Sequence, residues 1–395
     1  MKIDDKTSHN SPSLRFPEFT GEWKEERLSE IADIYKGAGI SKDQLSDNGE
    51  PCILYGELYT KYKTETITEV ISRTDIDNTK LVRSKANDVI IPCSGETAED
   101  IATARCVIKD GILLGGDLNI IRLHNYDGSF VSYQLNGKRK YDIAKVAQGV
   151  SVVHLYGEHL KGVKTVNPYL AEQKKISRFL SLLDERIAVQ NRLIEDLKKL
   201  RCAIVEKMFK QSKANGRLGD FIEQVSVRNK NGLYSNVLSV SNKQGFVKQS
   251  EQFEDRAVAS EDTSNYKIVK RNNFAYNPAR INVGSIARLT KFDVGIVSPM
   301  YVCFRTKASI IPEYMEAFFT SQQFFYEMMK RLEGSVRLCL SYEGLCNIPV
   351  YIPDMNKQIA MGQNISLILS KIGLEIEYLG RLHQQKQYLL RKMFI

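Results

Sequence analysis

The chain has 395 residues, a length suited to two domains with cores of their own and a connector between them. Its 56 Lys and Arg against 47 Asp and Glu give a formal charge of +9 spread along the sequence, which permits a polyanionic partner without requiring one. Seven scattered cysteines without a Cys-x-x-Cys pair exclude a disulfide framework and a zinc site, and neither a secretion signal nor about 18–20 consecutive apolar residues occurs, so a cytoplasmic protein with no membrane contact and no bound metal is expected.

Residues 1–21 read as an N-terminal segment. Residues 22–168 read as a first globular domain, in which strand-like runs such as Asp88-Val-Ile-Ile-Pro92 and Leu118-Asn-Ile-Ile-Arg122 alternate with Gly- and Asn-rich turns. Residues 169–212 read as a helix: Ile176, Leu180, Leu183, Ile187, Gln190, Ile194, Leu197, Arg201, Ile204 and Met208 recur at steps of four and three, the heptad seam of a coiled coil. Residues 213–353 read as a second globular domain, with a strand-like run Met300-Tyr-Val-Cys-Phe-Arg305 and a helical stretch over 313–332. Residues 354–395 repeat the seam with Met361, Ile365, Ile368, Ile372, Glu375, Leu379, Leu382, Lys386, Leu389 and Met393. Pro168 and Pro353 stand just ahead of the two runs, where proline closes a loop before a helix begins.

These elements are two copies of one unit. Residues 149–209 lie over 334–394 without a gap at a shift of about 185, pairing Leu155 with Leu340, Glu158 with Glu343, Gln173 with Gln358 and Leu197 with Leu382. The polar breaks coincide as well, Gln190 with Glu375 and Arg201 with Lys386. Upstream the match is weaker: 85–89 lies over 270–274, and 101–105 over 284–288 with Ala-Arg in common. An α/β (mixed α+β) fold is expected, two similar globular domains separated by two long helices. Seams of about 33 residues give rods near 48 Å at about 1.5 Å per residue, and an antiparallel pairing would relate the two domains by a pseudo-twofold axis.

Catalytic signatures are missing. No Gly-x-x-x-x-Gly-Lys-Ser/Thr loop occurs, and Gly37-Ala38-Gly39 lacks the later glycine of a dinucleotide site. Asn167-Pro168-Tyr169 lacks the second proline of an adenine methyltransferase motif, and Asn277-Pro278-Ala279 lacks its aromatic residue. Clustered carboxylates for a nuclease metal are not evident beside Pro353-Asp354. A self-contained methyltransferase is therefore disfavoured, and a coiled-coil adaptor without DNA function is the other alternative.

The polar loops point instead to binding. In the first domain Tyr55, Glu57, Tyr59 and Lys61 interleave aromatics with charge, and Ser94 and Arg105 lie in later loops. In the second, Asn242 and Lys243 precede Tyr276-Asn277-Pro-Ala-Arg280-Ile-Asn282, which sets an arginine between two asparagines. Arg matches guanine O6/N7 and Asn matches adenine N6/N7 in the major groove. The junction loops, with Ser151 and His154 in one copy and Ser335 and Arg337 in the other, suit phosphate contacts that set register.

The repeated junction resembles that of the specificity subunits of type I restriction-modification systems: Gly149, Ser151, Leu155, Leu160, Pro168, Glu172, Gln173 and Ile176, with the opening Leu14-Arg-Phe-Pro-Glu-Phe19 and Trp23, and the 276–285 segment. The second junction departs, with Lys357 where the first has Glu172. The resemblance implies two target-recognition domains that read a bipartite double-stranded DNA site, and two helices paired as an antiparallel coiled coil. It implies no cofactor on this chain; two modification subunits would bring S-adenosylmethionine for adenine N6 methylation, and restriction subunits would bring ATP and Mg2+.

Overall fold

The computed structural model describes residues 11–77, 79–149, 152–210, 213–242, 244–252, 262–335 and 337–395. The chain divides into two compact units, the first made of residues up to Asn191 together with Tyr378–Ile395, the second of Arg192–Glu377. Among the described residues no helix is long and apolar enough to cross a membrane.

In the first unit the strands of interest are β1 (Ala32–Lys36), β2 (Glu50–Ile53), β3 (Thr66–Ile67), β4 (Ser72–Thr74), β5 (Val82–Arg83), β6 (Asp88–Pro92), β7 (Arg105–Val107), β8 (Leu113–Leu114) and β9 (Leu118–Leu123). They form a five-stranded sheet in the order β1-β9-β6-β7-β3 and a four-stranded sheet in the order β4-β2-β8-β5. Strand β6 is an apolar run rather than an alternating one because both its faces are covered. Val89 and Ile91 point into a cluster with Trp23, Ile121 and Phe130, while Ile90 points the other way, into a cluster with Ile53, Val107, Leu114 and Ile120.

The second unit repeats this plan with β10 (Ile222–Gln224), β11 (Val237–Ser241), β12 (Gly245–Lys248), β13 (Lys267–Lys270), β14 (Phe274–Tyr276), β15 (Ile286–Arg288), β16 (Val294–Val297) and β17 (Val302–Thr306). Its sheets run β10-β17-β14-β15 and β12-β11-β16-β13. Each second sheet has one parallel pair in the same place, β2 with β8 and β11 with β16. The first sheet has one strand fewer: among the described residues nothing corresponds to β3, which pairs in parallel with β7 in the first unit. Each globular part also closes on itself in the same way, Lys24–Arg27 pairing antiparallel with Lys164–Asn167, and Gly216–Arg217 with Pro349–Val350.

Repeated residues carry repeated contacts. Asn87 and Asn272 take left-handed backbone with φ of 80° and 68° just before β6 and β14, a conformation Asn tolerates better than most residues. The next side chain, Asp88 or Asn273, accepts from the N–H of Lys85 or Lys270 at 2.8 Å in both copies. Gln173 donates to the carbonyl of Pro168 at 2.8 Å and Gln358 to that of Pro353 at 3.0 Å. Their Oε1 atoms accept from the backbone of Asp127 at 2.9 Å and of Ile311 at 3.0 Å. The buried glutamine thus staples the start of each long helix to its domain.

The register corrects one detail of the repeat. Arg105 pairs with Ile90 on β6, whereas Arg288 pairs with Phe274, the counterpart of Val89. The shared Ala-Arg is therefore offset by one residue, and a one-residue offset sends a side chain to the opposite face of the sheet. Arg288 accordingly meets Glu316 at 2.9 Å, with Glu313 as a second partner, on the helix Pro312–Phe319.

The helices are Leu170–Lys210 and Met355–Lys392. Ile176, Leu180, Leu183, Ile187, Leu382, Leu389 and Met393 all enter the core of the first unit. There the two helical segments run in opposite directions: the Asp184 carboxylate lies 2.7 Å from Lys386, and one half-turn later the guanidinium of Arg186 sits 5.4 Å over the ring of Tyr378. Leu379 packs partly buried on the same core, and Ile194 and Ile372 are buried further along their helices. In the second unit Ile365 is buried with Val205 and Phe209, while Ile204 and Met208 pack partly buried beside them. Burial has moved one position past the expected seam at this end, because the helix turns toward the aromatic core. Leu197 and Ile368 are half-buried.

Candidate nucleic-acid interface

The junction turn is built identically in both units. Gln148 and His154 exchange backbone hydrogen bonds of 2.9 and 2.7 Å, and Glu333 and Cys339 exchange bonds of 2.9 and 2.8 Å. Each turn contains a glycine with strongly positive φ, Gly149 at 121° and Gly334 at 117°. A Cβ there would lie 2.1 Å from the carbonyl oxygen of Val152 or 2.4 Å from that of Arg337, so only glycine closes the turn. The chain then docks beside the end of β6 or β14: the N–H of Leu155 donates to Cys93 at 2.8 Å, and that of Leu340 to Pro278 at 3.1 Å.

In the first unit this docking sets Ser94 against His154, hydroxyl to Nδ1 at 3.2 Å. His154 stacks on Tyr156 with ring centroids 6.2 Å apart. They line a groove of about 420 Å3 with Lys36, Asp117, Asn119 and Lys161. Asp117 lies 3.7 Å from the Lys36 ammonium. Two cations, the Ser94 hydroxyl and an exposed aromatic ring at one mouth give groups for phosphate and base edges together, while Asn119 is buried and its amide donates to the Leu155 carbonyl at 2.9 Å. Lys36, Asp117, Asn119, Tyr156 and Lys161 carried no recognisable signal in the sequence, because they come from three separate segments joined only by the sheet and the turn.

The second polar surface of this unit is the excursion of residues 54–71 between β2 and β4. Tyr55 and Tyr59 are half-buried on it and Lys61 is exposed. Burial raises the Tyr59 phenol, helped by Tyr55 and the carboxylates of Glu96 and Asp100. Glu57 points inward: it accepts from the Leu54 N–H at 3.0 Å and from the Ser72 hydroxyl, and Lys61 donates to it at 2.6 Å. A carboxylate so occupied shapes the loop rather than meeting a base. Arg105 is likewise buried and donates to the carbonyls of Ala104 at 3.0 Å and Tyr62 at 3.1 Å. Burial lowers its pKa, opposed by Glu65 and Asp184.

In the second unit Tyr276 is fully buried and its hydroxyl donates to Leu340 at 3.2 Å. Asn277 is buried too, its Oδ1 accepting from Ala279 at 3.1 Å in a turn that Arg280 closes through its own N–H, 3.0 Å from the Asn277 carbonyl. Both residues therefore build the loop, and the loop displays Arg280, which is exposed, and Asn282, which is half-exposed. Gly284 (φ 90°) brings this segment against Asn242, whose Cβ is 3.7 Å from where a Gly284 Cβ would stand. Ser335 and Arg337 are exposed on the neighbouring junction turn. The structure thus sets Asn242 beside the loop that carries Arg280 and Asn282, and the Leu340–Pro278 bond docks the chain following the junction turn against the same loop. Ser151 and Lys243 lie outside the described residues.

Residues 20–199 match the family model for the type I restriction modification DNA specificity domain. The chain is 25% identical over 197 residues to the type I restriction enzyme MjaVIII specificity subunit of Methanocaldococcus jannaschii, covering 50% of this chain and 43% of that subunit. The chain thus spans less than half the length of that curated relative. The fold of the whole chain is similar to that of a type I restriction-modification S subunit from M. genitalium, with a TM-score of 0.61 at 19% identity over 98% of this chain and 99% of that one. A chain from a structural study of type I R-M complex assembly and conformational transition gives a TM-score of 0.55 at 13% identity, over 94% and 97%.

The departure at Lys357 from the first junction has a local cause. Glu172 is buried under the N-terminal segment, where Arg15 grips it through two bonds of 2.7 Å and the Trp23 indole donates at 3.3 Å. That segment opens the first copy only. Lys357 is exposed and pairs with Asp354 at 3.2 Å.

Proposed function

We propose that the chain is the non-catalytic, sequence-reading subunit of a type I restriction-modification system. One observation carries this: a DNA specificity domain is followed in the same chain by a second unit of the same two-sheet plan, and each unit displays its own polar loops beside an identical junction turn. Each unit reads one half of a bipartite duplex site, with side chains such as Arg280 and Asn282 or Ser94 and His154 at base edges and phosphates. Two modification subunits docked on the chain methylate adenine N6 with S-adenosylmethionine, flipping the base themselves. Restriction subunits add ATP- and Mg2+-dependent translocation and cleavage, and the assembly works in the cytoplasm.

The test is a map of N6-methyladenine across the host genome with this gene intact and deleted. Loss of methylation at a single bipartite motif on deletion is expected. An unchanged map, in cells where the modification subunits are expressed, would refute the reading and leave an adaptor that does not choose the site.

A further inference from the structure

Five segments of the first unit converge on one buried ionic cluster. The Nζ of Lys386, on the second long helix, lies 2.7 Å from Glu65 and 2.7 Å from Asp184, and 5.6 Å over the ring of Tyr133. Tyr133 donates its hydroxyl to Asp184 at 2.6 Å. Arg105 completes the charge balance, two cations against two carboxylates, and all four side chains are largely buried. Such a cluster adds little net stability over apolar packing, but it strongly penalises any arrangement that leaves one charge unpaired. Its effect is to select a geometry.

What it selects is the seat of the 54–71 excursion. Glu65 immediately precedes β3, and its carbonyl accepts from the Cys106 N–H at 2.8 Å. Three residues earlier, the carbonyl of Tyr62 is held by Arg105. The cluster therefore clamps residues 62–65, just beyond Tyr55, Tyr59 and Lys61. In the second unit no strand among the described residues corresponds to β3, and the seam position matching Lys386 is Arg201, whose charge faces Glu316 on the helix Pro312–Phe319. There the same cationic position lines a cavity of about 440 Å3 with Asn242, and no strand matching β3 is clamped beside it among the described residues.

Resting on the reading above, we propose that Lys386 is a positioning residue for base recognition by the first unit: it holds the 54–71 excursion at its base, so that the helical segment sets the pose of Tyr55, Tyr59 and Lys61. The experiment takes the full chain and duplexes carrying the bipartite motif recovered by methylation mapping, with either half randomised, and measures competition binding at moderate salt, where phosphate-only binding fades. Lys386→Met is expected to reduce discrimination at one half-site by about 2–30-fold while leaving the other unchanged, and Lys386→Arg is expected to retain most of it. Equal weakening at both halves, or unchanged discrimination by a folded Lys386→Met chain, would overturn the proposal. Should Lys386→Met fail to fold, Glu65→Gln, which keeps the Asp184 pair, is judged by the same one-half criterion. A wild-type chain that does not distinguish intact from randomised duplex would instead sink the DNA-reading assignment itself, and that arm separates the two failures.

Discussion

The two units share a framework and differ in where they spend extra chain. Between β2 and β4 the first unit inserts residues 54–71, with a helical turn at Glu57–Thr60 and strand β3, whereas the second crosses from β11 to β12 through residues 242–244 alone. The second places its longer connection after β12, between Lys248 and Lys267. The cores differ in kind too: Val89 and Ile121 of the first unit are replaced by Phe274 and Phe304, which stack at 5.2 Å in an aromatic cluster that includes Phe319. Junction turns, helix staples and sheet order stay fixed, while loops and core volumes drift. A fold with this division keeps its framework contacts while its loops and core packing vary.

Breaking the cores should have the largest effect. Phe304→Ala is expected to cost about 3–5 kcal/mol and Ile121→Ala about 2–5 kcal/mol in denaturant unfolding; equal small losses would mean that neither strand centres its core. Next come the junction glycines. Gly149→Ala and Gly334→Ala should each cost about 3 kcal/mol, whereas Gly232→Ala, at φ 62° with open space around it, should cost about 1 kcal/mol. A similar cost at all three would show that the carbonyl clash is relieved.

Arg280→Ala should weaken binding by about 1–3 kcal/mol at one half-site and leave the other unaffected. Uniform loss across unrelated duplexes would assign it to phosphate. The finest distinction is a double-mutant cycle: Phe274 and Phe304 should couple by about 0.5–1.5 kcal/mol beyond their burial, and Val89 with Ile121 should not. Coupling of the same size in both pairs would erase the difference in kind between the cores.

Much of the framework was legible in the sequence because it is repeated. Gln173 and Gln358, and Gly149 and Gly334, recur in step and make the same local contacts, while the seams from Ile176 and Met361 onward recur as a pattern whose burial differs between the units. The polar loops were legible as segments but not as side chains. Glu57, Arg105, Tyr276 and Asn277 have the chemistry of base readers, and the fold spends that chemistry on its own backbone. Which polar side chain of a loop turns inward depends on tertiary partners such as Ser72 and Leu340, distant in sequence. Each long helix lends its two halves to different cores, so the divisions between the compact units fall at Asn191 and Glu377 inside continuous helices.

The first unit is built from both extremes of the chain. Residue 14 donates its N–H to the carbonyl of Lys392 at 2.9 Å, and Trp23 packs edge-on against Phe394. On the ribosome, where domains tend to fold in the order in which they emerge, this unit starts to emerge before the second unit and is finished after it. Until residues 378–395 leave the exit tunnel, Glu65 and Asp184 lack the lysine they face and Trp23 lacks one wall of its pocket. A product ending before residue 378 would therefore carry the second unit beside a first unit that lacks Lys386 and the Phe394 wall against Trp23.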